Sequence, residues 1–268
     1  MAITFDGIVP TKSNIEHYIT QQHIMRYVFA SSYVKDKIVL DVACGAGYGS
    51  HFLAIEGAKK VYGVDIDKNA LKIAKTYYSH PNVEYIRGDV LSLPFSDNFF
   101  DVIVSFETIE HILDTERYIS EIKRVLKPDG IFICSTPNIK YTMHPEYHVH
   151  EFYPEEFWEL LEKNFRKVEK YGQYISIFQR FKDIVGPKID GIKSKIIGII
   201  SKTISLIPCI KIVYKRYYNY KSKNINKHFN PLKITELNIE YMVRNRVVPI
   251  DASNGILRIM VAVCKGKI

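Results

Sequence analysis

The apolar positions of the chain fall into two alternating rhythms. Short apolar runs, "KIVLDV" at 37–42, "KVYGVDID" at 60–67, "VEYIRGDV" at 83–90, "FDVIVSFE" at 100–107 and "GIFICSTPN" at 130–138, read as five strands. Between them lie segments with a helical period. "GYGSHFLAIEGA" at 47–58 offers Phe52, Leu53 and Ile55 for packing, and "KNALKIAKTYYSH" at 68–80 runs up to Pro81. "TERYISEIKRVLKPDG" at 115–130 repeats Tyr118, Ile119, Ile122, Val125 and Leu126 before a closing Pro-Asp-Gly. Buried strands separated by amphipathic helices predict a parallel sheet covered on both faces. After residue 150 the pattern continues with a helix at 154–165, a sixth strand at 166–176 and a seventh at 256–267. Residues 178–245 interrupt that order as an insertion, so the expected core is 1–177 with 246–268.

The strand ends carry the chemistry. The first strand runs into Asp41 and then into a loop containing Ala43, Gly45, Ala46, Gly47 and Gly49. A Gly-rich turn after a first strand lets backbone amides approach a ligand at the carboxyl edge of the sheet. A dinucleotide site would need G-x-G-x-x-G, but here the third position is Ser50, and an acid just before the loop suits no pyrophosphate. Asp41 suits a cationic or zwitterionic ligand. S-adenosylmethionine, with its ammonium, carboxylate and sulfonium, is such a ligand, and Asp41 could attract the ammonium directly or through water. Asp65 ends the second strand, where an acid can accept both ribose hydroxyls. Asp89 ends the third strand and could accept from the adenine amino group, with Ile66 and Val90 on either side of the ring.

These stretches resemble the class I S-adenosylmethionine-dependent methyltransferases. The resemblance is carried by "VLDVACGAGYGS" at 39–50, "VYGVDIDKNAL" at 61–71, "RGDVLSLPFSDNFFDVIVSFETIEHI" at 87–112 and "VLKPDGIFICSTPN" at 125–138. It spans about residues 15–176 and implies an α/β fold with a seven-stranded doubly wound sheet, order 3-2-1-4-5-7-6, the last strand antiparallel. It also implies S-adenosylmethionine as cofactor, with Phe106 among the cofactor-binding residues. The lead-in "EHYITQQHIMRYVFASSYV" at 16–34 is similar to that of small-molecule and sugar methyltransferases encoded among polysaccharide genes. There an N-terminal helix closes over the cofactor, which implies that Arg26 meets the methionine carboxylate and Tyr27 the sulfonium end. A surface arginine and a core tyrosine are the plainer alternatives.

A hydroxyl acceptor needs a base, and histidine titrates in the right range. Two candidates stand near the expected edge: His111 after the fourth strand and His148 in "HPEYHVHEFYPEEF" at 144–157. Each could instead hold its loop by hydrogen bonds. His144, His148 and His150 with Glu146 and Glu151 form a dense donor cluster, but loop spacing fixes no geometry and methyl transfer needs no metal, so none is expected.

Composition and charge narrow the setting. The chain has 268 residues, 47% of them hydrophobic, and no run of eighteen apolar residues that would cross a bilayer. Cys44, Cys134, Cys209 and Cys264 are far apart and read as reduced thiols of a cytoplasmic protein. The N-terminus lacks the order of a signal peptide, and no nucleic-acid recognition module appears. The net charge of +8 is concentrated in residues 180–227, where twelve lysines and arginines face Asp183 and Asp190. Within it, Ile189, Ile192, Ile196, Ile199, Ile200 and Ile207 recur at helical spacing, with Lys188, Lys195 and Lys202 on another side. Such a segment suits either an anionic membrane surface, through residues 188–223 at the inner face, or a lid over the site. The expected function is methylation of an acceptor hydroxyl on a sugar of a cell-surface polysaccharide or lipid-linked glycan. A quinone or other lipophilic acceptor, or a non-catalytic S-adenosylmethionine-binding regulator, are the alternatives.

Overall fold

The computed structural model describes residues 9–10, 18–141, 148–175, 247–250 and 256–268. They belong to a unit formed by Met1–Tyr174 and Asn230–Ile268; the second unit, Ile175–Phe229, lies almost wholly outside the described residues. The expected boundaries of the insertion, and its amphipathic face, fall there too.

The strands are β1 (Ile38–Val42), β2 (Lys60–Asp65), β3 (Val83–Arg87), β4 (Phe100–Phe106), β5 (Leu126–Pro137), β6 (Phe165–Ile175), β7 (Val248–Pro249) and β8 (Ile256–Lys267). They form one sheet in the order β3-β2-β1-β4-β5-β8-β6-β7. The pairs β1–β2, β1–β4, β2–β3 and β4–β5 are parallel, and β5–β8 is antiparallel. This is the expected doubly wound order with β8 as the antiparallel strand. Among the described residues the one addition is β7, two residues paired with Tyr171 and Gly172 at the edge of β6. Two residues carry no alternation to read, so the sequence pattern cannot announce such a strand.

The helices are α1 (Tyr18–Ser31), α2 (Tyr48–Ile55), α3 (Lys68–Tyr77), α4 (Thr115–Val125) and α5 (Pro154–Glu162). Strand residues alternate between two cores. Val39, Val61, Val102, Val104, Ile133, Val261 and Val263 join the core under α1, α2 and α3. Leu40, Val42, Val64, Ile103, Phe132, Met260 and Ala262 join the core under α4 and α5. Period two in the strands thus feeds both helical layers, and full burial on both faces is why β1, β4 and β8 read as continuous apolar runs.

Local chemistry sets the helix ends. Asp67 caps α3 by accepting from Asn69 N at 2.7 Å, and Asp114 caps α4 by accepting from Arg117 N at 3.0 Å. α4 stops at Val125, earlier than the Pro-Asp-Gly expected to close it. Pro128 cannot donate to the helix ladder, and the segment is absorbed into β5 as an irregularity: Phe100 pairs with Leu126, but Val102 pairs with Ile131.

Candidate functional site

Because β1 to β4 are parallel, their carboxyl ends gather at one edge of the sheet, and the loops after them build the site. The loop after β1 is held in an unusual shape. Ala43 (φ 54), Gly45 (φ 54) and Gly47 (φ 82) all adopt left-handed backbone, and so does Glu107 (φ 53) just past β4. For Ala43 and Glu107, which have a Cβ, this conformation is strained and is maintained by the surroundings. Asp65 supplies part of that hold: its Oδ2 accepts from Gly45 N and its Oδ1 from Asp67 N, both at 2.8 Å. Burial pushes the Asp65 carboxyl up from its ordinary range, partly offset by these two amides.

The glycines serve packing as well as backbone shape. A Cβ on Gly49 would fall 2.0 Å from Cζ of Tyr27, and one on Gly47 would fall 2.5 Å from Cβ of Ala74 and 2.7 Å from the Tyr85 ring. The close approach at these two positions is therefore made by protein side chains. Tyr85 also donates to the Gly47 carbonyl at 2.8 Å.

Asp41 has no exposed surface. Ser50 Oγ donates to its Oδ2 at 2.6 Å, and the Tyr27 hydroxyl lies 3.1 Å from Oδ1. Burial pushes its pKa up to about 7, against the lowering effect of these two hydrogen bonds. A cavity of about 310 Å³ opens beside it. Of the residues singled out from sequence, Tyr27, Ala43, Gly45, Ala46, Asp65, Phe106 and His111 line that cavity. Asp41 lies behind Tyr27, whose ring packs edge-on against Tyr48 and Phe106 at 5.5 and 5.0 Å.

Arg26 is also fully buried. Its Nη1 donates to Gln173 Oε1 at 2.7 Å, its Nη2 lies 3.9 Å from Glu107 Oε1, and Nε and Nη2 have no hydrogen-bond partner. Ile66 is 63% exposed, Asp89 is exposed with Oδ1 accepting from Leu91 N, and Val90 is buried. These three, with Gly47, Arg26 and His148, stand outside the cavity lining.

Four lining residues were not anticipated: His23, Cys44, Tyr48 and Glu107. Two had a signal in the sequence. Glu107 is a fourth acid at a fourth strand end, and His23 precedes Tyr27 by one helical turn on α1. Burial, then the charge of Arg26, hold His23 well below its usual pKa, so it is neutral in the folded protein.

The two histidine candidates meet at the rim. The His111 and His148 rings pack edge-to-face with centroids 4.9 Å apart. His111 is exposed, whereas the His148 side chain is 9% exposed and its Nδ1 lies 3.0 Å from Glu151 Oε1. His150 turns away to Glu156 at 2.8 Å, while His144 and Glu146 lie outside the described residues.

Residues 40–134 match the family described as "Methyltransferase domain". Over those residues the chain is similar to S-adenosylmethionine-dependent methyltransferases. A "Probable S-adenosylmethionine-dependent methyltransferase" of Mycolicibacterium smegmatis is 34% identical over 154 residues, 55% of this chain and 58% of that protein. The phthiotriol/phenolphthiotriol dimycocerosates methyltransferase of Mycobacterium tuberculosis is 35% identical over 97 residues, 36% of each chain. The chain thus spans about half the length of the curated relatives it matches, 49% to 58% for three of them. Among solved structures, a SAM-dependent methyltransferase from Thermotoga maritima superposes with TM-score 0.54 and 15% identity, covering 94% of this chain and 95% of that one. The [4+2]-cyclase SpnF superposes with TM-score 0.55 and 15% identity, covering 92% and 81%. At this identity both show the fold alone, and SpnF illustrates that the methyltransferase fold does not by itself dictate the reaction. The cofactor that the methyltransferase domain and its relatives imply is S-adenosylmethionine.

Proposed function

We propose that the chain transfers the methyl group of S-adenosylmethionine to a hydroxyl of a glycan, either a sugar of a cell-surface polysaccharide or its lipid-linked precursor. The observation that carries the hydroxyl is the histidine pair at the rim of the cavity, His111 against His148, with Glu151 on His148 Nδ1. An amine acceptor only has to be neutral, whereas a hydroxyl must lose a proton, and paired imidazoles are suited to prepare it.

In this reading the buried groups divide the cofactor between them. Arg26, whose Nε and Nη2 have no hydrogen-bond partner, takes the methionine carboxylate. Tyr27 donates to Asp41, so its oxygen can accept from the ammonium and pass the carboxylate's charge on to it. Asp65 takes the ribose hydroxyls, and Asp89 takes the adenine amino group, with Ile66 and Val90 against the ring. The acceptor oxygen forms the new bond to the methyl carbon, and the carbon–sulfur bond breaks with its electron pair returning to sulfur. The hydroxyl proton leaves to the imidazole side. S-adenosylhomocysteine and a methyl ether result.

A second reading is a lipophilic acceptor. It is favoured by the relative named for phthiotriol and phenolphthiotriol dimycocerosates. The two readings converge if the glycan is lipid-linked, which also suits a basic, isoleucine-rich stretch at 188–223 working at the inner face of a membrane. Mass spectrometry of surface glycans and lipids with and without the protein tests both. A methyl missing from a sugar supports the first, a methyl missing from a free lipid or quinone supports the second, and no change overturns the pair. On the purified protein, His148→Ala is expected to lower turnover about 10²–10⁴-fold with cofactor affinity nearly intact.

A further inference from the structure

The rim of the cavity holds a donor set that proton transfer alone does not call for. Glu110, His111 and His148 each offer one ligand atom, and these atoms lie within 4.8 Å of one another. Two sequence segments are brought together to make it, because Val149 N and His150 N both donate to the Glu110 carbonyl, at 2.9 and 3.1 Å.

Glu110 is the informative member. It is 1% exposed; its Oε2 accepts from Thr136 Oγ1 at 3.1 Å, but its Oε1 is buried with no hydrogen-bond partner. A buried carboxylate oxygen without a partner is costly unless a cation or proton meets it. His148 adds an independent sign. A carboxylate on Nδ1, here Glu151 at 3.0 Å, is the arrangement that fixes a metal-binding imidazole and makes Nε2 the ligating atom. Glu107 is not counted among the ligands, because its Oε1 accepts from Ser135 Oγ at 2.8 Å and faces Arg26.

We propose that Glu110, His111 and His148 bind one divalent cation, and that this ion is what prepares the acceptor hydroxyl. Two imidazoles and one carboxylate favour Zn²⁺, Mn²⁺ or Fe²⁺ over Mg²⁺ and Ca²⁺, which prefer all-oxygen sites. Three protein ligands leave positions open, as in catalytic sites, and an acceptor oxygen would fill one. Ligands about 2.0–2.2 Å from one ion lie roughly 3–3.5 Å apart, so the present spacing needs a contraction of about 1–2 Å, within the reach of an exposed His111 side chain. The ion lowers the pKa of the hydroxyl it holds; the proton leaves to solvent, and the transfer is otherwise as written above. The cation site stands on its own geometry, and only its role toward the hydroxyl rests on the methyl-transfer reading. The donors differ from the loop cluster visible in the sequence: only His148 is shared, and its partners come from the segment after β4.

The test uses the full chain, stripped with a chelator, and calorimetric titration with Mn²⁺, Zn²⁺ and Mg²⁺, without any acceptor. One equivalent of Mn²⁺ or Zn²⁺ is expected, with Mg²⁺ at least tenfold weaker. His111→Ala, His148→Ala and Glu110→Gln are each expected to weaken binding at least tenfold, and Glu151→Gln by about 10–100-fold. S-adenosylmethionine affinity should move less than about twofold in His148→Ala, Glu110→Gln and Glu151→Gln, whose positions lie outside the cavity lining. Thermal unfolding checks their folding, and His111→Ala, at an exposed position, keeps the test valid if a buried replacement fails to fold. Absence of one-to-one binding, or wild-type binding in His111→Ala, overturns the site. So does wild-type binding in a folded Glu110→Gln, which would reduce it to a surface histidine pair. If the ion binds and S-adenosylmethionine does not, the methyl-transfer reading fails and the site stands; the reverse result overturns the site and leaves that reading.

Discussion

Asp41 sits in the middle of the sheet, opposite Gly63 on one side and Val104 on the other, and its burial has a measurable consequence. Its pKa rises from 3.8 to about 7, so between those values the folded protein holds a proton that the unfolded chain has lost. By linkage, the contribution of this residue to stability falls as pH rises from about 4 to about 7 and stays lost above that. At about 1.4 kcal/mol per pH unit the full swing is on the order of 4 kcal/mol. Asp41→Asn, which cannot ionise, is expected to gain on the wild type by up to that amount between pH 4 and pH 8 in denaturant unfolding; a difference that stays flat with pH would refute the assignment. The same variant should bind S-adenosylmethionine more weakly at pH 8. Asp65→Ala is expected to weaken that binding by about 2–3 kcal/mol in calorimetry, since hydrogen bonds to an ionised acceptor are worth about 1.5–3 kcal/mol each. The acids were legible in the sequence because each strand ends in a change from apolar to acidic. Glu107 carries the same signal at the end of the fourth strand and was not singled out. The convergence of Glu110 and His111 with His148 was not legible, because the contact is made by the two loops after β4 and β5 and no local spacing encodes it.

At the scale of elements, the junction of α1 and α2 carries the tightest constraint. The Tyr27 ring occupies the space where a side chain on Gly49 would be. Gly49→Ala is therefore expected to destabilise by about 1–3 kcal/mol, the usual cost of overpacking, and to push Tyr27 off Asp41. Adding Tyr27→Ala should remove most of the Gly49→Ala penalty in thermal unfolding, because the two positions share one space; simple additivity would show that the clash is relieved elsewhere. The five early strands and the helices between them could be read from the sequence because both strand faces are apolar and each helix keeps one apolar side. Helix ends were less legible. α4 ends where its backbone turns extended at Leu126, three residues before the Asp-Gly that looked like its stop. The lead-in helix was legible in kind, and α1 does place Tyr27 and His23 at the cavity.

For the whole molecule, the charge is the open lever. Among the described residues no helix is long and apolar enough to cross a membrane. The sequence of 188–223 nonetheless predicts reversible binding to vesicles containing anionic lipid. Each lysine or arginine at such a surface contributes about 1 kcal/mol, so four together give binding on the order of 1 mM. Two or three inserted isoleucines, at about 1.5–3 kcal/mol each, bring it towards micromolar. Cosedimentation should fall with salt, vanish when Lys188, Lys195 and Lys202 are changed to Glu, and weaken in Ile196→Asp even at low salt; indifference of the wild type to such vesicles at low salt would count against a membrane-side acceptor. The sheet order has a consequence of another kind. β8 lies between β5 and β6, yet it is made long after both, and Ile131 meets Lys265 across it. While the chain is being synthesised, β5 and β6 have no shared neighbour, and each shows the ribosome exit a bare edge of the type that recruits foreign strands. The sheet can close only when residues 256–267 emerge, so a pause in translation anywhere in the basic stretch is expected to prolong the exposure of both edges.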